Sequence, residues 1–248
     1  MNLLLLSILL FVTALLSGLS IYILKPDNKN YLKLLLSFSG AFLFSIAVIN
    51  ILPEIFSHGD NHYIGIYIII GFLTQLLLDY ITHGVEHGHT HNEHAHHHHS
   101  SMPYLTLMIG ICIHSFLEGM PFVEAIDEHT RNAMFFGIVI HNIPIALVLM
   151  SLFIQSNMSK KNAITLLAIF ALMTPLGALA SNEFNYLFEN SIENYLGIIM
   201  AIVVGIFLHV STSILFESTE HHTYNRKKLI TVVIGIATAI LTSLGHAH

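Results

Sequence analysis

Charge is scarce in this sequence. Aspartate, glutamate, lysine and arginine together make up 10% of the 248 residues, where a soluble domain carries about 25%. The nine basic residues are scattered without a basic patch, which excludes nucleic acid as a partner. A single cysteine, Cys112, excludes an intrachain disulfide. What the chain has instead is apolar. Hydrophobic residues account for 54% of it and the mean hydropathy is +0.71. They come in runs long enough to cross roughly 30 Å of hydrocarbon. The composition is that of a membrane protein.

The apolar segments fall at 2–24, 34–55, 63–82, 103–124, 133–155, 163–181, 194–216 and 229–245. The first has neither a basic leader nor a small-x-small cleavage site, so it reads as a membrane helix and not a signal peptide. The sequence therefore predicts an all-α polytopic membrane protein, with eight transmembrane helices forming a single transmembrane domain over 1–248. Orientation follows from the bias of Lys and Arg towards cytoplasmic loops. Lys25, Lys29 and Lys33, Lys160 and Lys161, and Arg226, Lys227 and Lys228 all fall on one side of this arrangement. Only Arg131 falls on the other, among Glu124, Asp127 and Glu128. Both termini are thus expected outside, in a multi-pass protein of a cell inner membrane.

The one long connection, 83–102, is then cytoplasmic and lies between helices 3 and 4. It holds nine of the 19 histidines, His83, His87, His89 and His91 among them. It lacks a periodic apolar face and is expected to be disordered without metal. So many imidazoles will bind zinc-class ions, loosely and without fixed geometry, as a buffer or sensor on the cytoplasmic side.

Ionisable side chains deep in a bilayer are costly, and by default they mark function. His114 and Glu118 lie near the centre of helix 4, four residues apart and so on one face. His141 and Asn142 lie near the middle of helix 5, just before Pro144. Proline frees the carbonyl four residues earlier, here that of Ile140, and Pro121 is expected to do the same to Leu117 in helix 4. Imidazole with carboxylate suits zinc, and also iron, nickel or copper; it suits calcium and magnesium poorly. His114, Glu118 and His141 are therefore the expected metal ligands. The alternative is a buried His–Glu pair that pins helices together. Ser115, Asn142 and Asn50 are candidates for supporting contacts behind the ligands. Cys112 reads as inert core, and His209 as an interhelical histidine. Asp79 and His83, with Glu217, His221 and His222, lie at cytoplasmic helix ends, where with the loop histidines they could form an exit site. Glu124, Asp127 and Glu128 are candidates for outer entry.

These residues resemble a known family. HSFLEG, from His114 to Gly119, and HNIP, from His141 to Pro144, are similar to the helix-4 and helix-5 signatures of the ZIP (Zrt/Irt-like) metal transporters. LPE at 52–54, PLGA at 175–178 and the His-rich loop fit as well. The resemblance implies an inverted-repeat helical bundle, often a homodimer, that moves a divalent metal into the cytoplasm by alternating access. It places the ion on His114, Glu118 and His141, between helices 4 and 5. Many relatives hold a second, bridged ion. Here the corresponding places carry Ser115, Asn142, Ile145 and Ala146, and Thr174 precedes Pro175, so a single transported ion is expected. No prosthetic group is called for. The cargo is Zn2+ first, then Fe2+ or Mn2+. The alternatives are a membrane-embedded zinc-dependent hydrolase, for which no HExxH motif is present, and a non-transporting metal sensor.

Overall fold

Lipid offers the backbone no hydrogen-bond partner, so a chain this apolar must satisfy its peptide groups within its own helices. The computed structural model describes residues 2–24, 29–57, 63–82, 102–122, 127–188, 195–216 and 226–244. Among them there is no strand, and eight long helices follow one another. Helix α1 is Leu3–Leu19, extended by a turn at Ile21–Leu24. Helix α2 is Lys29–Ile46, continued through a π-turn, Ala47–Ile51, into Leu52–Ser57. Then come α3 (Ile64–Thr82), α4 (Met102–Gly119), α5 (Glu128–Gln155), α6 (Lys160–Phe188), α7 (Tyr195–Phe216) and α8 (Arg226–Leu244). By length and composition seven of these helices can cross a membrane. The fourth carries a shorter apolar stretch, Thr106–Gly119. The protein is a multi-pass membrane protein.

Helix ends extend past the hydrophobic runs because polar residues cap them. Asp127 Oδ2 accepts the Thr130 N–H at 3.1 Å, so α5 starts five residues before the apolar segment does. At the far end Asn157 turns left-handed, with φ 55°, and the Met158 N–H reaches back to the Phe153 carbonyl at 3.1 Å. Asparagine tolerates that conformation better than most residues. Lys228 at the start of α8 donates from Nζ to the Ile214 and Leu215 carbonyls at 3.2 and 2.7 Å, closing the C-terminus of α7. Lys228→Met should lower unfolding stability by about 1 kcal/mol, measured by thermal melting in detergent.

Four of the six prolines behave in three ways. Pro144 and Pro175 sit inside α5 and α6 without ending them. Pro53 cannot donate to Ile49, and the ladder widens there into the π-turn, which buries Asn50. Pro121 does not break helix 4 as expected. The helix has already stopped at Gly119, and the Leu117 carbonyl accepts the Met120 N–H at 3.2 Å.

Two groups of helices emerge from the packing. Helices α1, α4, α5 and α6 share a core that includes Ile111, Met150, Phe153, Leu167 and Phe170. In the other group α3 lies along α7 and α2 along both α7 and α8. Glycines set the closest approaches. A Cβ on Gly71 would collide with the Ile202 carbonyl and one on Gly205 with that of Ile68, which fixes α3 against α7. Gly119 meets the Thr174 carbonyl and Gly177 that of Phe116, which fixes α4 against α6 in the same way. The groups join where α2 packs on α5 and α3 on α4. Large apolar side chains of α1, α3 and α8, such as Leu16, Leu73, Leu77, Val233 and Leu241, face outward, as lipid contact requires.

Candidate metal site

Helix α4 turns His114 and Glu118 inward on the same face, four residues apart as the sequence requires. His114 Nε2 lies 3.1 Å from Glu118 Oε1. Helix α5 brings His141 Nε2 to 3.7 Å from the same oxygen. The two imidazole rings stand nearly perpendicular, with centroids 6.1 Å apart. All three side chains are buried, His114 at 1% exposure and the other two at 0%. One donor atom from each lies within 4.8 Å of the others. Zinc–nitrogen and zinc–oxygen bonds are about 2.0–2.2 Å, so donors sharing one ion are separated by no more than about 4.3 Å. Tetrahedral donors lie about 3.4 Å apart at these bond lengths, so the widest-set pair must close by up to about 1.4 Å for all three to share one ion. Among the described residues no other cluster of His, Cys, Asp and Glu meets this condition.

The surroundings leave polar atoms unsatisfied. Among the described residues, Glu118 Oε2, Ser115 Oγ and Asn142 Oδ1 are buried without a hydrogen-bond partner. A buried polar atom left in this way costs about 1–3 kcal/mol, and such atoms call for an explanation; a guest carrying positive charge or water ligands would supply one. Asn142 Nδ2 reaches Thr174 Oγ1 at 3.5 Å, tying α5 to α6 just before Pro175. Ile145 and Ala146, one turn on, are buried and offer no donor.

The other candidates are placed elsewhere. Asn50 is taken up by other partners: its Oδ1 accepts from Ser243 Oγ at 2.7 Å and its Nδ2 lies 3.5 Å from His129 Nδ1. Asp79 pairs with His209 of α7, Oδ2 to Nδ1 at 3.3 Å, so the interhelical reading of His209 agrees with its placement. Asp127 is exposed and caps α5, and Glu128 is exposed beside it. Glu124, His83, His87, His89, His91, Glu217, His221 and His222 lie outside the described residues. One residue escaped the sequence reading. Gln75 of α3 is fully buried, and its Oε1 lies 2.9 Å from His114 Nδ1. The signal was present: a lone amide inside the run Ile68–Leu78, four residues before Asp79.

The sequence model of the family described as ZIP Zinc transporter matches residues 86–243. The chain belongs to the ZIP family. Curated relatives agree. The chain is 24% identical over 212 residues to zinc transporter ZIP9-B of Xenopus laevis, covering 77% of this chain and 68% of that protein. It is 25% identical over 214 residues to zinc transporter ZIP9 of Micropogonias undulatus, covering 77% and 67%. It is 23% identical over 288 residues to zinc transporter zipt-7.1 of Caenorhabditis briggsae, covering 88% and 72%. ZIP members are transporters and not enzymes, so the hydrolase considered from the sequence is set aside. The cargo of a ZIP protein is a zinc-type metal ion, and the buried His–Glu–His cluster of this one has donors of the kind that ion prefers.

Proposed function

We propose that this chain carries a divalent transition metal, zinc first and iron or manganese after it, into the cytoplasm by alternating access. The ion binds one site, formed by His114 and Glu118 of α4 and His141 of α5. The observation that supports this reading is the convergence of three fully buried donors from two helices within 4.8 Å. Three protein ligands leave a position open for water, which suits a site that must release its ion. Lack of a donor at Ile145 and Ala146 supports one ion and not two.

Helix α4 has 18 residues, which at 1.5 Å each span about 27 Å, and it makes the eighth crossing. The packing is consistent with an inverted repeat. Exchanging helices 1–3 with 6–8, and 4 with 5, turns the α3–α7 contact into α8–α2 and the α4–α6 contact into α5–α1, all of them among the extensive contacts of the bundle. The basic residues put the ends of α5 and α7 in the cytoplasm. Asp127 and Glu128 then stand at the outer mouth, and Asp79 leads towards the exit and the His-rich loop.

The test is zinc entry into proteoliposomes that enclose a zinc-sensitive dye. Wild-type protein should give saturable entry, His114→Ala none, and a deletion of 84–100 should retain it. Tight stoichiometric zinc binding by the wild type with no entry would overturn the carrier and leave a sensor.

A further inference from the structure

The contact behind His114 determines which of its ring nitrogens is offered to the ion. Two contacts of Gln75 bear on this. Its Nε2 is 3.4 Å from Asp79 Oδ1, and its Oε1 is 2.9 Å from His114 Nδ1. An ionised carboxylate only accepts hydrogen bonds. Asp79 therefore requires the NH2 group of the Gln75 amide on its side and turns the carbonyl oxygen towards His114. That oxygen also only accepts, so His114 Nδ1 must carry the hydrogen. In a neutral imidazole the lone pair then sits on Nε2, the atom 3.1 Å from Glu118 Oε1. Two acceptors facing each other at that distance repel unless a cation lies between them. On the far side His209 Nδ1 lies 3.3 Å from Asp79 Oδ2. The series runs from α7 through α3 to α4, crossing from one helix group to the other, and Gln75 and His114 are 0 and 1% exposed.

We propose that Gln75 is a positioning residue of the transport site: held by Asp79, its carbonyl keeps the hydrogen of His114 on Nδ1 and presents Nε2 to the ion. This rests on the reading of His114, Glu118 and His141 as that site. A metal-bound histidine whose other nitrogen is held in this way has a fixed ring orientation and greater basicity, and loss of such a partner typically lowers metal affinity about 10–100-fold. A purely structural amide would instead affect folding and leave the concentration dependence of entry unchanged.

Gln75→Leu and Gln75→Glu separate the two roles. Leucine has similar bulk and offers no acceptor; glutamate, where it carries a proton, donates it to Asp79 and still presents a carbonyl oxygen to His114. Zinc entry into proteoliposomes is measured over a range of zinc concentrations for the full-length wild type, both variants and His114→Ala, with thermal melting of each in detergent. The expected result for Gln75→Leu is a half-saturating zinc concentration about 10–100-fold higher, with Gln75→Glu close to wild type. An unchanged half-saturation in Gln75→Leu, with entry abolished in His114→Ala, overturns the positioning role and leaves the site intact. Equal impairment of both variants together with lowered melting temperatures assigns Gln75 to structure and also overturns it. Normal entry by His114→Ala overturns the site itself, and the positioning role with it.

Discussion

Glu118→Gln should reduce zinc entry to the level of protein-free liposomes while leaving the zinc-free protein at least as stable as wild type. The two effects have one cause. Glu118 is the only anion among the three converging donors, and it is fully buried between two imidazoles. A divalent ion that sheds its water there depends on that carboxylate for neutralisation. Glutamine has the same shape but no charge, and its amide is a poor ligand for zinc-class ions. Without an ion the balance reverses. A buried carboxylate with an unbonded oxygen carries a desolvation penalty of several kcal/mol, which glutamine escapes. Melting curves should show the same reversal when the 84–100 deletion is used to remove the loop histidines. Zinc at 100 times its dissociation constant should stabilise the Glu118 protein by about 2.7 kcal/mol and Glu118→Gln hardly at all. Zinc entry that persists in Glu118→Gln would remove this residue from the ligand set.

How much of this was legible in the sequence depended on how local each contact is. The spacing of His114 and Glu118 is a property of one helix, so four residues of separation place them on one face before any fold is known. His141 was grouped with them because an imidazole deep in helix 5, beside Pro144, is costly without a role, and the resemblance of HNIP agreed; nothing in periodicity says that α5 packs its His141 face towards α4. Gln75 was missed because its partner is 39 residues away on another helix, and a single amide in a run of leucines carries no motif. Asn50 was read as a supporting contact behind the ligands. The π-turn instead points its side chain at Ser243, 193 residues later. Pro121 was read as a kink where the helix had already ended at Gly119, because helix ends are fixed by short-range caps that hydropathy does not register. The four close glycine contacts were illegible for a related reason: a glycine in a membrane helix is common, and only the neighbouring helix shows which of them is required.

The close contact of α4 on α6 gives the second large effect. Gly177→Ala should cost about 1–3 kcal/mol of stability and lower zinc entry at least tenfold, whereas Gly65→Ala should be neutral or stabilising. The added methyl at 177 would collide with the Phe116 carbonyl and come within 3.3 Å of the Gly119 Cα. Both are backbone atoms, so no side-chain rotation relieves the contact and α4 must shift as a body. Phe116 and Gly119 flank Glu118, and metal–ligand distances tolerate errors of only about 0.2 Å. Even a partial displacement therefore spoils the approach of Glu118 and His114 to His141. Thr174 is affected too, since its carbonyl packs against Gly119 and its hydroxyl meets Asn142. At Gly65 a Cβ meets nothing within 4 Å, and alanine there gains up to about 1 kcal/mol of helix propensity. Melting temperature and zinc entry measured on both variants distinguish a specific loss of the α4–α6 contact from a general intolerance of the membrane helices to added bulk, which would impair Gly65→Ala as well.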